Sequence, residues 1–303
     1  MNLKAGDCWK TIRQKCGGVL EFATRADYQT MYDCVEARHE AYLDSFETAH
    51  STLTDDAFSD LADSIGWVDE QILIDFEAYQ SFNSYRKKMA AREAVWLAAG
   101  ADPATSPDNY NVFDDDIEET LRSRDGAIII DDTLYVTDSL DQEWIVPGAS
   151  CVELALILNG GGSQEYKRIY VGSDGQLCCD HDKEFGFYYY DNNKKMVKFK
   201  LRFNHASYHT KAIAKMKMYR KKSIWHKYRA KIHVKSWGDF GVFSADKCDD
   251  LNAYAITKGI KRRRHLRVAY KWDGAFTFKT GNAKGTFTYP DASSPLTHAL
   301  TFP

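Results

Sequence analysis

The sequence predicts an α+β protein with an acidic helical N-terminal domain (residues 1–125) and a basic, antiparallel all-β C-terminal domain (residues 126–303) that is sandwich- or barrel-like. Two observations support this prediction. Apolar residues recur with helical spacing before residue 125 and with strand spacing after it. The charge also changes sign: residues 1–140 contain 12 Lys and Arg against 28 Asp and Glu, whereas residues 141–303 contain 28 against 15.

The first predicted helix begins at a capping box formed by Thr24 and Asp27. Apolar and aromatic side chains follow at intervals of three or four residues, which places them on one helix face. Acidic residues occupy the opposite face. The predicted inward residues are Tyr28, Met31, Tyr32, Val35, His39, Tyr42 and Phe46.

Four further helices are predicted before residue 125. Thr54 caps one that ends at Gly66. Two others run over residues 70–82 and 85–99, and a short one starts near Asp114. The inward side chains of the helix after Thr54 are predicted to be Phe58, Leu61 and Ile65.

After residue 126, short β-rich runs alternate with turns. A hairpin is predicted where residues 127–130 and 134–136 flank the Asp131-Asp132 corner. Many short strands at regular spacing are typical of a sandwich or a barrel. The other predicted strands are VELALIL, QEYKRIYV, FGFYYY, KMVKFKLRF, KIHVKSW, VFSA, HLRVAYKW, AFTFK and GTFTY.

Composition narrows the class of protein. A chain of 303 residues is long enough for two cores, and 44% hydrophobic with 14% aromatic residues excludes a disordered chain. No run approaches 18 apolar residues, so no membrane span is predicted. The seven cysteines are too sparse to build the fold and are expected to be mostly free thiols, with one pair such as Cys8–Cys16 as the alternative.

Three clusters contain metal-ligand residue types, but each has a simpler interpretation. Residues 178–182 (CCDHD) lack a second ligand pair at zinc-site spacing, so a turn beside a buried thiol is expected. His205 and His209 are four apart but lack the Glu that accompanies a helical metal pair. Residues 114–116 (DDD) are better explained as a helix-capping acidic turn. We therefore predict no metal and no cofactor.

No local motif predicts an enzyme. The sequence contains no G-x-S-x-G, no G-x-x-x-x-G-K-[ST] and no G-x-G-x-x-G, which removes the motifs of serine hydrolases, P-loop proteins and dinucleotide-binding proteins.

The basic segments carry the strongest functional signal. Residues 192–238 contain 15 Lys and Arg and no acidic residue, and a second basic block occupies residues 261–264. Cations beside aromatic rings suit phosphate contact and base stacking. A half-buried sheet with aromatic residues inward and cations outward would give the same pattern without a ligand. The predicted partner-binding residues are Lys217, Arg220, Lys221, Lys222, Trp225, Arg229, Arg262, Arg263 and Arg264.

These features favour a non-enzymatic structural or adhesive protein that self-assembles. The acidic helical face of one copy would meet the basic β face of the next copy in a head-to-tail contact. The partner would then be a second copy of the chain or another acidic protein surface. The alternatives are a nucleic-acid or polyanion-binding protein that uses the same basic face, and a secreted effector or enzyme with dispersed site residues.

Several segments resemble a group of uncharacterised surface proteins and lipoproteins of Bacteroidota. They are LEFATRADYQTMYDCV, FNSYRKK, DDDIEETLRSRDGAIIIDDTLYVTD and FYYYDNNKKMVKFKLRF with AKMKMYRKKSIWHKYRAKIHV, in this order. The resemblance implies a helical head, a β tail and a cell-surface or extracellular location, without a known activity or site residue. The N-terminus lacks the export signal and lipid-attachment cysteine region of that group, which leaves a cytoplasmic location open.

Overall fold

The computed structural model describes residues 9–106, 111–138, 142–167, 183–206, 209–244, 247–273, 284–289 and 296–301. Its helices are α1 (Arg25–Ala49), α2 (Asp55–Ser64), α3 (Gln71–Tyr79), α4 (Tyr85–Ala98), α5 (Asp116–Leu121) and α6 (Cys151–Leu158). Its strands are β1 (Arg13–Lys15), β2 (Val19–Phe22), β3 (Ala127–Ile130), β4 (Thr133–Thr137), β5 (Glu143–Pro147), β6 (Lys183–Tyr190), β7 (Lys195–Ala206), β8 (His209–Lys221), β9 (Trp225–Lys227), β10 (Ala230–Ser244), β11 (Lys247–Arg263), β12 (His265–Asp273), β13 (Lys284–Tyr289) and β14 (Leu296–Thr301). Helices combined with antiparallel sheets and a β-rich C-terminal part confirm the predicted α+β class.

The chain forms two compact units that interleave along the sequence. Unit 1 comprises Met1–Phe46, Val68–Arg92 and Asn111–Arg168, and unit 2 comprises Glu47–Trp67, Glu93–Tyr110 and Ile169–Pro303. This division differs from the predicted boundary at residue 125. The reason is that β2 pairs with β3 more than 100 residues later, and that two N-terminal segments belong to the β-rich unit. Such long-range association leaves no trace in local periodicity.

Helix α1 follows its sequence pattern closely. The Asp27 N–H donates to Thr24 Oγ1 at 3.1 Å, which confirms the predicted cap. One correction concerns the inward face, because Leu43 is buried where Tyr42 was predicted. The buried side chains are Tyr28, Met31, Tyr32, Val35, His39, Leu43 and Phe46.

Unit 1 contains a five-stranded sheet in the order β1-β2-β3-β4-β5. Strands β2 and β3 are parallel, and the other neighbours are antiparallel. The predicted β3–β4 hairpin is confirmed, with Asp131 and Asp132 both at φ 53° in its turn. One side of the sheet packs into an apolar core made of Val19, Ala127, Ile129, Leu134, Val136, Trp144, Val146, Ala149, Leu154 and Ile157.

The segment VELALIL is a helix, not the predicted strand. The Glu153 N–H donates to Ser150 Oγ at 3.2 Å and caps α6, and Asn159 ends it. A short continuous apolar run does not distinguish a strand from a helix, and Leu, Ala and Glu favour the helix. The predicted strand QEYKRIYV begins instead with a 3₁₀ turn at Gln164–Tyr166, and its end lies outside the described residues.

A disulfide joins Cys16, in the turn after β1, to Cys151 at the start of α6. The suggested Cys8–Cys16 pair is therefore wrong, and the expectation of mostly free thiols needs correction, since Cys34 is disulfide-bonded as well. The two bridged cysteines are 135 residues apart, a pairing that depends on the folded chain and not on spacing.

Unit 2 contains two antiparallel sheets, with strand orders β11-β10-β13-β14 and β12-β8-β7-β6, and β9 pairs with β8. Side chains from both sheets form one apolar core, in which the rings of Phe199 and Phe287 stack with centroids 5.2 Å apart. Most β-rich runs from residue 183 onward lie in strands as predicted. Strands β8 and β11 were not predicted, because frequent charged residues mask their alternation. The predicted strand AFTFK and the turn at residue 274 lie outside the described residues.

Helix α2 has its predicted cap but a different buried face. The Ala57 N–H donates to Thr54 Oγ1 at 3.3 Å. Phe58 is buried, whereas Ile65, predicted to face inward, is 58% exposed. The helix buries Asp55 and Ser59 instead.

Across the described parts of the chain, no helix combines the length and apolar character needed to cross a membrane.

Replacing both Cys16 and Cys151 by Ala should lower the free energy of unfolding by about 2–5 kcal/mol, because the bridge closes a long loop. Urea unfolding under oxidising conditions measures this loss. Equal unfolding free energies for the wild type and C16A/C151A would contradict a stabilising role for the bridge.

Candidate functional site

Unit 2 pairs acidic side chains from its two N-terminal segments with cations of its β-sheets. We call this set of residues the acid–base seam. Its acidic members are Glu47, Asp55, Asp56, Asp60, Asp63 and Glu93. Its basic members are Lys195, Lys217, Arg220, Lys222, Lys227, Arg229, Arg262, Arg263 and Arg264. The seam thus contains the predicted partner-binding residues except Lys221 and Trp225.

Strand alternation explains why one sheet face is basic. On β7, Val197 and Phe199 point into the apolar core, so Lys198 and Lys200 point to the other face. Both lysines are nonetheless buried, at 3% and 4% exposure. The basic face is therefore covered within the chain, and buried charges require partners.

Arg262 is a deeply buried member of the seam. Its side chain is 1% exposed, and its Nε lies 2.7 Å from Asp55 Oδ1. The guanidinium also donates to the Leu53 carbonyl at 2.7 Å and lies 4.8 Å from the centre of the Phe58 ring. The second oxygen of Asp55 accepts from the backbone N–H of Lys231 at 2.9 Å. This pairing explains why α2 turns Asp55 inward.

Two neighbouring arginines extend the same pattern. Arg263 Nη1 lies 2.6 Å from Glu47 Oε2 at the end of α1. Arg229, with a side chain 1% exposed, places Nη1 2.9 Å from Asp63 Oδ1 and donates from Nη2 to the Trp67 carbonyl at 3.0 Å.

Arg264 completes this part of the seam. Its Nη2 lies 3.3 Å from Asp63 Oδ1, the same oxygen that Arg229 contacts.

The outer edge of the seam is more exposed. Arg220 contacts Asp56 through Nη1 at 3.2 Å and Asp60 through Nη2 at 2.6 Å. Lys195 Nζ lies 3.2 Å from Asp56 Oδ1, and Tyr228 donates its hydroxyl to the same oxygen at 3.0 Å. The side chains of both aspartates are 56% exposed.

Lys222 also reaches this edge. Its Nζ lies 3.3 Å from Asp60 Oδ1, and its side chain is 52% exposed.

A second acidic centre lies at Glu93. Its carboxylate contacts Lys227 at 2.9 Å and Lys217 at 3.8 Å, and accepts from the Tyr219 hydroxyl at 2.9 Å. Glu93 is 7% exposed, so α4 contributes a buried carboxylate to the sheet.

The two remaining predicted residues lie beside the seam. Trp225 is buried, at 4% exposure, in an apolar cluster with Met196 and Tyr219. Lys221 is exposed, with its ammonium 5.7 Å from the centre of the Trp225 ring. Binding of a second protein by the predicted residues stays a prediction.

The ion pairs shift the acidity of the exposed aspartates. Burial alone would raise the pKa of Asp56, but the Tyr228 hydroxyl and the cations of Lys195 and Arg220 outweigh it and lower the pKa below its ordinary value. The hydrogen bond and charge of Arg220, with those of Lys222, outweigh burial and lower the pKa of Asp60.

The acidic partners were not identified individually from the sequence, although the N-terminal half was their expected source. A signal for them exists: Asp56, Asp60 and Asp63 are spaced four and three apart, which places them on one face of α2.

The three candidate metal clusters have different outcomes. Asp115 accepts from the N–H groups of Ile117 and Glu118, which confirms the capping interpretation. His205 and His209 lie on two different strands of a hairpin, and residues 178–182 lie outside the described residues. Over the described ranges, no group of three or more His, Cys, Asp or Glu could hold a metal ion.

No known family model matches the chain, and no curated protein matches it. Among solved structures, the chain is similar to a DUF4848 family protein from Bacteroides thetaiotaomicron, with 12% identity and a TM-score of 0.23 over 95% of this chain and 98% of that chain. The structural similarity is thus to an uncharacterised Bacteroidota protein. A TM-score this low does not indicate a shared fold or function.

The exposed edge of the seam should make stability depend on pH. Because the folded-state pKa values of Asp56 and Asp60 are depressed below 3.8, their contribution is present above that value and is lost as the pH falls through the lower folded values. As the pH falls from about 5 to about 2, we expect the unfolding free energy of D56N/D60N to decrease less steeply than that of the wild type.

Urea unfolding at a series of pH values measures this slope. D125N, which changes an exposed carboxylate in unit 1, is the matched control and should keep the wild-type slope. An unchanged acid slope in D56N/D60N would show that the two aspartates contribute nothing to pH-dependent stability.

Proposed function

We propose that this protein is a non-enzymatic structural or adhesive protein that self-assembles head to tail by exchanging the two sides of the acid–base seam between copies. The observation that carries the proposal is the order of the seam in the chain. Every acidic member lies between residues 47 and 93, and every basic member lies between residues 195 and 264. Residues 94–194 separate the two groups in the sequence.

An exchanged arrangement uses contacts that the chain already makes. The Arg262–Asp55 and Arg263–Glu47 pairs would form in the same geometry whether both residues belong to one copy or to two. Exchange of identical elements is a low-cost route to association, and repeated head-to-tail exchange gives rings or filaments.

Aromatic side chains supply apolar area at the same surface. The Tyr189 hydroxyl donates to Asp102, and its ring lies 6.0 Å from that of Trp225. Trp225, Tyr219 and Met196 share an apolar cluster with Ala104. Buried aromatic residues supply most of the affinity of an interface, whereas complementary charges orient and accelerate association.

A cell-surface or extracellular location fits the disulfide chemistry. The Cys16–Cys151 bridge and the disulfide of Cys34 are typical of an oxidising environment. The resemblance to Bacteroidota surface proteins supports the same location.

The alternative prediction, a nucleic-acid or polyanion-binding protein, assigns the binding to the same cations. Arg229, Arg262 and Arg263 are at most 3% exposed and already contact carboxylates of the chain. A phosphate would have to displace those carboxylates, so the geometry favours the structural proposal.

Complementary charge reversal at the exposed edge tests the exchange. We compare D56K/D60K with R220E/K222E, whose side chains lie at the more exposed edge of the seam. Each variant alone repels its own partner. Copies of the two variants that are unfolded, mixed and refolded together should form mixed assemblies, because the reversed aspartates of one then meet the reversed cations of the other.

Light scattering after size exclusion, with a different tag on each variant, detects the mixed species. The wild type should form oligomers that weaken at high salt. As a control, R13E mixed with E21R should gain nothing from mixing, because this ion pair lies in unit 1 and outside the seam. A wild type that stays monomeric at every concentration, together with no mixed species, would contradict the proposal. A shift that occurs only with added duplex DNA would favour the polyanion-binding alternative.

A further inference from the structure

A groove of about 640 Å³ lies between α3 and α4 in unit 1. Its volume falls within the range of small-molecule sites. The apolar part of its lining consists of Ile74, Ala78, Phe82, Ala90 and Ala91.

Small side chains keep the apolar part of the groove open. Ala78, Ala90 and Ala91 are exposed, and Ile74 is 39% exposed, so apolar surface faces solvent along both helices. Burying such surface is favourable by about 25 cal/mol per Å², which makes an alkyl or aryl chain a suitable occupant.

Polar residues lie at one end of the groove. Five residues separate α3 from α4, and this connecting turn marks one end of the groove. Ser81 and Asn83 belong to that turn, and Lys87 follows it within the first turn of α4. Among the lining residues of each helix, Ile74 and Ala91 are the farthest from this turn in the sequence.

The charges at the polar end favour an anion. Glu77, the carboxylate of the groove, is 4% exposed and already accepts from Arg86 Nε at 2.9 Å and from the Ser84 hydroxyl. The Glu77–Arg86 pair is therefore neutral as a unit. The exposed ammonium of Lys87 then leaves this end of the groove with a net positive charge.

We infer that the groove binds a fatty carboxylate, with its alkyl chain along the alanines and its carboxylate near Lys87. This inference is independent of the proposed self-assembly, because the groove lies in unit 1 and the seam in unit 2.

Isothermal titration calorimetry with decanoate, below its micellar concentration, tests the inference on the full-length protein. One decanoate should bind per chain, whereas decyltrimethylammonium, with the same tail and a cationic head, should not bind. A78W and A90W fill the groove and should weaken decanoate binding at least about tenfold. K87E should weaken it by a similar factor because it places a negative charge at the head-group end.

Two matched controls separate the groove from general surface effects. A41W adds the same bulk to an exposed alanine on α1, and R92E makes a charge reversal on α4 outside the groove lining. Both should bind decanoate as the wild type does. Equal binding of the cationic amphiphile, or wild-type affinity in well-folded A78W and A90W, would overturn the inference.

Discussion

Burying a charge costs several kcal/mol unless an opposite charge and hydrogen bonds accompany it, and the β-rich unit depends on meeting that requirement. Its central strands carry Lys and Arg on the face opposite the apolar core, where such side chains are ordinarily exposed to water. That face is covered: Lys198 and Lys200 on β7 are 3% and 4% exposed. Arg229 and Arg262 of the same unit have side chains only 1% exposed. Carboxylates from the N-terminal half supply the compensation, so the sheet requires chain segments that precede it by more than 100 residues.

This requirement accounts for the interleaving of the two units. Helix α1 begins in unit 1, and its last residues, Glu47–Ala49, belong to unit 2. Helix α4 likewise passes from unit 1 to unit 2 at Glu93. The charge asymmetry of the sequence therefore has a structural origin within one chain. The same complementarity would also serve association between copies, because an ion pair does not depend on the connectivity of its partners.

Local signals predicted local structure well. The Thr24 and Thr54 caps, the buried stripe of α1 and the Asp131-Asp132 hairpin follow from hydrogen bonding and side-chain spacing within a few residues. The basic residues of the seam were also recognised, because runs of Lys and Arg without acidic residues can be read directly from the sequence. Their partners, the Cys16–Cys151 bridge and the unit boundaries were not predicted, since each depends on which distant segments meet. The apolar run at α6 shows a further limit, because capping by Ser150 decided its conformation.

A double-mutant cycle on Arg262 and Asp55 tests most directly whether buried charge pairing holds the β-rich unit together. The unfolding free energies of R262M, D55N and the double variant are compared with the wild type. The Arg13–Glu21 pair, whose arginine side chain is 74% exposed, serves as a control cycle. Each buried single change should cost about 3–5 kcal/mol because it leaves a buried group without its ionic partner, and the double variant should cost clearly less than the sum. Additive losses at Arg262 and Asp55, as small as those of the control pair, would contradict the account.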